Sequence, residues 1–247
     1  MSSATVKLAD IVKKQYSFKL KSYMGVFTTM IVLHGLAILF SLNGVGSMGT
    51  GMGSLSVNIN YYSATIVVMF TMIWGFISAI LISTKAYRYD DFSFVTNRLS
   101  SHLANGLFLL TMSVVGGLTA ILSSFLLRVI VYLYHGSGFI LADGIAQAPI
   151  EWVIGFIATT FNVLFLCVIG YFLGMIGQFH KSLKVVLPVA IIGLLFVNGG
   201  DGGAITQVVQ FYFFESSFLL YSMKILLSIS IVYVITVMST KNMEVIR

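Results

Sequence analysis

Two cations, Arg128 and Lys224, stand inside long apolar runs of the sequence. A cation in hydrocarbon is costly unless it has a partner, an aqueous cavity or a route for its head to reach the interface. Glu151 and Glu215 are carboxylates near the same outer face, each at the edge of an apolar run. Arg128 can pair with Glu151 or Glu215. Lys224 follows Glu215 by nine residues, about 13 Å deeper if that stretch is helical. Three readings stay open for these charges: a pair that pins helices together, a substrate path, or simple snorkelling.

Other reactive groups are sparse. His34, His102, His135 and His180 fall at different depths along the apolar pattern, which argues against a shared metal site. His34 lies mid-run, as a hydrogen-bonded packing residue or a proton carrier. Cys167 is the single cysteine, which excludes an internal disulfide and any multi-cysteine metal site. Every Asp and Glu lies in a connection, a terminal arm or at a boundary, so no acid pair or Ser/His arrangement is expected to catalyse a reaction within the membrane. Gly44, Gly46 and Gly49 match G-x-G-x-x-G, but they follow an apolar span rather than a strand. A nucleotide fingerprint must follow a strand and open a helix, so this is read as a Gly-rich loop. No G-x-x-x-x-G-K-[ST], H-E-x-x-H or G-x-S-x-G occurs. No catalytic, metal or cofactor site is expected in this chain.

The elements that must position these groups follow from composition. Only 9% of the 247 residues are charged and 58% are hydrophobic, and the mean hydropathy is +0.98. Soluble domains carry about 25% charged residues. That shortage excludes a soluble enzyme, a disordered tail and a secreted disulfide scaffold. It predicts an all-α polytopic membrane protein forming a single transmembrane domain over 1–247. A bilayer core needs about 20 apolar residues in helix, and six spans are expected: 22–42, 61–84, 103–134, 150–176, 184–198 and 217–239. Continuous apolar character excludes a β-barrel, which would alternate with period two.

The third span is too long. About 32 residues make about 48 Å of helix, so it either projects from the membrane or breaks near Ser123 and Ser124. The fifth is short, contains Pro188 and ends in Gly199, Gly200, Asp201, Gly202 and Gly203. The apolar stretch 204–214 is too short to cross, and a re-entrant or interfacial segment is expected there. Gly170 and Gly174 form a G-x-x-x-G, read as packing within the chain or as a dimer seam. The first apolar run is read as a signal anchor, with no cleavage site after it.

Apart from Arg128 and Lys224, every Lys and Arg falls on one side of this topology: the N-terminal arm, the 85–98 and 177–184 connections, and the tail 240–247. The connections 43–60, 135–149 and 199–216 hold no Lys or Arg. The positive-inside rule places both termini in the cytoplasm of a cell-membrane protein. The net charge of +6 is then a topology signal, drawn to anionic lipid heads, and nucleic acid is not an expected partner. Within 1–21, Val6, Leu8, Ile11, Val12, Tyr16, Phe18 and Leu20 recur among lysines in a helical rhythm. They predict an amphipathic helix on the membrane face, the alternative being a basic tail that only orients the first span.

Lys85, Tyr87, Arg88, Tyr89, Asp90, Asp91, Phe92, Phe94, Asn97, Arg98, Ser100 and His102 follow the second span. Mixed charge with flanking aromatics suits protein docking, where aromatics anchor and charges fix register; a solvated loop is the alternative. With six spans, a basic N-terminal helix and the Gly-rich break before the last span, this segment resembles the cytoplasmic element of ABC-2 type transporter permeases. The likeness covers nearly the whole chain in layout, and its residue-level marker is the neighbourhood of Asn97, Arg98, Leu99 and Ser100. The resemblance implies an exporter subunit working as a homo- or heterodimer of six-span permeases, with ATP and Mg on a separate cytoplasmic ATPase. Arg88, Asp90, Asp91, Asn97 and Arg98 would face that ATPase. The cargo would be an amphipathic peptide, antibiotic or lipid. Phe211, Tyr212, Phe213 and Phe214 suit such cargo or form an interfacial belt. The alternatives are an ATPase-independent immunity or sensor protein, or an ion-coupled transporter. The latter wants buried acidic groups and inverted repeats, which the sequence does not display.

Overall fold

The computed structural model of the chain describes residues 7–42, 44, 46–52, 55–61, 63–84, 98–135, 149–178, 203, 207, 210–212 and 214–240. These hold six α-helices and one two-stranded ribbon. In chain order they are α1 (Leu8–Ser22), α2 (Met24–Ser41), β1 (Gly46–Met52), β2 (Leu55–Tyr61), α3 (Thr65–Ile82), α4 (Arg98–His135), α5 (Pro149–Ile176) and α6 (Phe218–Ser239). Five of them, α2 to α6, are long and apolar enough to cross a membrane. The expected span at 184–198 lies outside the described residues. So do the 85–97 segment and the 241–247 tail.

The bundle is apolar outside and partly polar inside, as lipid requires. Leu219, Leu227 and Ile231 of α6 are exposed, whereas Thr71, Ser78, Ser113 and His34 are buried between helices. Their hydroxyls bond within the bundle: Ser113 donates to the Leu109 carbonyl at 2.8 Å, and Thr71 to that of Val67 at 2.7 Å. An unsatisfied polar group in this interior would cost several kcal/mol, on the order the bilayer imposes.

α2 and α3 run antiparallel. Trp74 Nε1 on α3 donates to the Val26 carbonyl at 3.1 Å and to Thr29 Oγ1 at 3.2 Å near the start of α2, and His34 Nε2 meets Thr71 Oγ1 at 2.8 Å further along. Because the Thr71 hydrogen goes to Val67, its oxygen accepts from His34, which is a packing role. One end of the bundle carries Arg98, Ser83, Gln178 and Thr240; the other carries the ribbon. Below they are the Arg98 end and the ribbon end.

α4 is a single unbroken helix of 38 residues, about 57 Å at the standard rise. The alternative of a break near Ser123 and Ser124 is therefore excluded. Ser124 keeps its hydroxyl on its own helix, at the Ile121 carbonyl. The helix starts at Arg98, five residues before the expected span start at 103.

The Gly-rich connection forms an antiparallel ribbon, with Gly46 opposite Tyr61 and Met52 opposite Leu55. This corrects the Gly-rich loop expected from sequence, since β1 and β2 are strands, while every membrane-length element is a helix. Gly44, with φ 85°, supplies the left-handed residue that turns the chain out of α2.

α1 packs along α4, where Tyr16 Oη and Thr111 Oγ1 are 2.7 Å apart. Tyr23 separates α1 from α2 and is wedged edge-on against Phe108, ring centroids 5.8 Å apart. Lys13, Lys14 and Lys21 face outward, as an interfacial helix requires. The buried stripe, however, is Val12, Gln15 and Lys19, more polar than the apolar face expected. Lys19 keeps its ammonium 5.9 Å from the Tyr23 ring centroid, near the reach of a cation–π contact. Gln15 has both amide atoms buried without a hydrogen-bond partner. Gln15→Met keeps the length and removes the unsatisfied amide. It is expected to raise stability by about 1–2 kcal/mol, read as a higher midpoint of thermal unfolding in detergent. An unchanged or lower midpoint would show that the amide is satisfied in solution.

Candidate functional site

Three polar constellations are built into the helices, and each uses residues that apolar spans rarely carry.

At the Arg98 end, α4, α5 and α6 converge on His102. Its Nδ1 is 2.8 Å from Tyr171 Oη and its Nε2 is 2.8 Å from Thr240 Oγ1. Asn105 Nδ2 donates to Tyr171 Oη at 3.1 Å. Thr240 donates its hydrogen to carbonyls of its own helix, at Thr236 and Val237, so its oxygen accepts from His102 Nε2–H. Nδ1 is then the acceptor for Tyr171 Oη–H. A neutral imidazole satisfies the whole chain of bonds. Tyr233 of α6 adds a 2.6 Å bond to the His102 carbonyl, and Arg98 Nη1 donates to the Thr240 carbonyl at 3.1 Å. Gly106 is required here: a Cβ would come within 2.6 Å of Tyr233 Oη. The cluster contains no activated nucleophile. Its chemistry is positional, since it ties the first turn of α4 to the last of α6.

Sequence reasoning missed this hub. The signal was available in part: His102 and Asn105 are three residues apart on one helix face, and polar side chains in apolar spans usually bond across helices. Which other spans would supply Tyr171 and Thr240 depends on packing that one sequence does not display.

At the ribbon end, Lys224 forms an ion pair with Glu215. Its ammonium also lies 4.3 Å from the centre of the Phe211 ring. Glu215 therefore does not serve Arg128. The expected 13 Å offset in depth fails because α6 begins only at Phe218, with Ser217 extended (φ −99°, ψ 115°). The chain bends there and brings Glu215 back to Lys224. Of the three readings, pinning fits this geometry. Tyr212 Oη reaches Ser228 Oγ at 2.8 Å, so the same turn holds the aromatic segment to α6. Both charged side chains are between a fifth and a third exposed. Their loss should therefore cost less than the roughly 3–5 kcal/mol of a fully buried pair and more than a surface pair. Lys224→Met is expected to lower stability by about 1–2 kcal/mol. Adding Glu215→Gln should restore part of it, measured by thermal unfolding in detergent. A single mutant as stable as the parent would remove the pair from the bundle's energetics.

Arg128 belongs to the third constellation. Its guanidinium carbon lies 4.7 Å from the Trp152 ring centre, and Trp152 stacks on Phe125 at 4.4 Å. Both edge a cavity of about 460 Å³ between the ribbon-end portions of α3, α4 and α5. Ser124 and Glu151 are among its polar lining residues, and Val68, Ala120 and Ile121 among its apolar ones. Glu151 sits in the first turn of α5, where the helix dipole favours an anion. Arg128 and Glu151 thus meet at one cavity, as the sequence allowed.

No family model, curated protein or solved structure matches this chain.

Of the expected docking residues, Arg98 is placed at the start of α4 and bonds Thr240. Arg88, Asp90, Asp91 and Asn97 lie outside the described residues. Between the fifth expected span and α6, Gln207 and Gln210–Tyr212 are helical. The Gln207 amide bonds the Gly203 carbonyl at 3.1 Å, and the Phe214 amide that of Gln210 at 3.1 Å. Among the described residues no three metal ligands converge.

Proposed function

We propose that this chain is the membrane permease subunit of an ATP-driven exporter of the ABC-2 type, with a separate ATPase bound to its 85–97 segment. The observation that carries this reading is the tie at the Arg98 end. Arg98 and His102 both bond Thr240, and Gln178 Nε2 bonds the Ser83 carbonyl. The 85–97 segment enters α4 at that tie. A push on the segment by a partner protein would therefore move α4 together with α6. The segment carries Arg88 against Asp90 and Asp91 among four aromatics, which suits a docking surface.

Orientation follows from charge. The Arg98 end adjoins the basic arm, connections and tail, so it faces the cytoplasm under the positive-inside rule. Segment 184–198 supplies the fifth of six spans, and 204–214 dips into the outer interface as a re-entrant segment. The working unit contains two such permeases, and its cargo is an amphipathic peptide, antibiotic or lipid.

Purification of the tagged chain in mild detergent tests this directly: an ATPase subunit is expected in stoichiometric amount, and Arg88→Glu should release it while membrane insertion stays intact. A chain that purifies alone would instead favour a sequestering membrane protein. Cysteine at Ser54 or Ala146 should react with an impermeant thiol reagent from outside the cell, and cysteine at Ser93 should not. Labelling at Ser93 in intact cells would overturn the orientation and the docking segment together.

A further inference from the structure

We propose that the ribbon-end cavity is a binding site for the head group of a zwitterionic phospholipid, with the phosphate held by Arg128 and the ammonium by Glu151. Occupancy by lipid needs no ATPase, so this site stands or falls apart from the transport reading.

Four observations carry the assignment. First, the cavity of about 460 Å³ falls in the roughly 300–1,000 Å³ range of small-molecule sites. Second, its two formal charges have opposite sign and come from different helices, Arg128 on α4 and Glu151 on α5. A ligand with one charge would gain from one residue and be repelled by the other. A ligand with a phosphate and an ammonium presents an opposite charge to each. Arg suits the phosphate because its planar fork matches phosphate oxygens, and Trp152 under the guanidinium sets its position. Third, the walls change character across the cavity. Val68, Ala120 and Ile121 offer hydrocarbon, as an acyl chain requires, and lie further from the ribbon end of α3 and α4 than Ala64 and Arg128. Fourth, the depth is right. Glu151 and Trp152 occupy the first turn of α5, and Ala64 directly precedes α3. Tryptophan at a helix end is characteristic of the head-group level. Glu151 and Gly155 are exposed at the mouth, so a lipid can enter from the leaflet at that end.

Gly155 keeps the mouth open. Gly155 is part of the cavity lining and a Cβ built there meets nothing within 4 Å, so a leucine can be added to that lining without collision. That supplies a clean test. The full-length chain in detergent is titrated with phosphatidylethanolamine or with phosphatidylglycerol, and retained lipid is counted by native mass spectrometry. The parent is expected to retain phosphatidylethanolamine at about tenfold lower lipid concentration than phosphatidylglycerol, a difference of about 1.4 kcal/mol. Glu151→Gln should erase that preference, because the ammonium loses its partner and the anionic lipid loses its repulsion. Gly155→Leu should abolish retention of both. A second reading uses the Trp74→Phe chain, which leaves Trp152 as the only tryptophan of the two; its emission should respond to phosphatidylethanolamine and cease to do so in Gly155→Leu. Equal retention of the two lipids by the parent would overturn the zwitterion assignment. Undiminished retention in a folded Gly155→Leu chain would place the lipid elsewhere on the surface.

Discussion

Gly170→Leu is expected to destabilise the bundle by roughly 2–4 kcal/mol, the upper range of overpacking costs. α5 packs on α3 more extensively than any other pair of helices among the described residues, and Gly170 lies against the α3 backbone. A Cβ at this position would collide with the Phe76 carbonyl oxygen and lie 3.1 Å from its carbon. Backbone atoms cannot swing aside as a side-chain end can. The same seam continues one turn on, where a Cβ at Gly174 would strike the Ser83 side chain. Ser83 Oγ is itself held by the Ile80 carbonyl at 2.6 Å. It ends at Gln178, bonded to the Ser83 carbonyl. Positions 170, 174 and 178 thus run along Phe76, Ile80 and Ser83, and the G-x-x-x-G works within the chain. Between helices in lipid, close packing replaces the hydrophobic effect as the main attraction, so separating the backbones costs the contact along the whole seam. Gly155→Ala is the internal control, because its Cβ enters open space. It should be neutral or stabilise by up to about 1 kcal/mol through helix propensity. Thermal unfolding of both variants in one detergent decides the matter. Equal midpoints for the two would mean that the helices do not approach as closely as described.

The spans were legible because apolar length is the strongest signal a membrane sequence carries. The expected 22–42 and 150–176 coincide closely with α2 and α5. Hydropathy failed at the start of α4, where Arg98, Ser100, Ser101 and His102 read as a polar loop. Their polarity is absorbed by Thr240, Tyr171 and other neighbours that a linear window does not see. The ribbon was missed for a different reason. Leu55, Val57, Ile59 and Tyr61 alternate strictly with Ser56, Asn58 and Asn60, a period-two pattern that marks a strand. The glycines of β1 drew attention to a loop instead. Lys224 was rightly singled out as a cation in need of a partner, but its depth relative to Glu215 was computed along a helix that begins only at Phe218. Arg128 and Glu151 were both singled out from the sequence, and both line one cavity. Trp152 and the cavity between them required three helices to be in place.

His102→Ala is expected to cost roughly 2–4 kcal/mol, from a lost buried side chain and the polar groups it leaves unmatched. The imidazole joins Tyr171 of α5 to Thr240 at the end of α6, and each bond is 2.8 Å. Thr240 loses little on truncation, since its hydrogen already goes to Thr236 and Val237. Tyr171 is only 1% exposed, and its hydroxyl would keep Asn105 Nδ2 as donor while losing His102 as acceptor. Most of the loss should therefore run through the His102–Tyr171 bond, and a double-mutant cycle isolates it. Tyr171→Phe alone is expected to cost about 1–3 kcal/mol, because it strands the imidazole Nδ1 and the Asn105 amide. In the double mutant the two costs should fall short of additivity by about 1–2 kcal/mol, within the range for groups sharing a hydrogen bond. The same pair of changes should loosen the start of α4, seen as faster amide exchange at Leu99 to Leu103 than at the Thr111 to Val115 turns of the same helix. Full additivity, with unchanged exchange at Leu99, would mean that the two rings are merely packed at 6.1 Å and that no bond through His102 links α4 to α5.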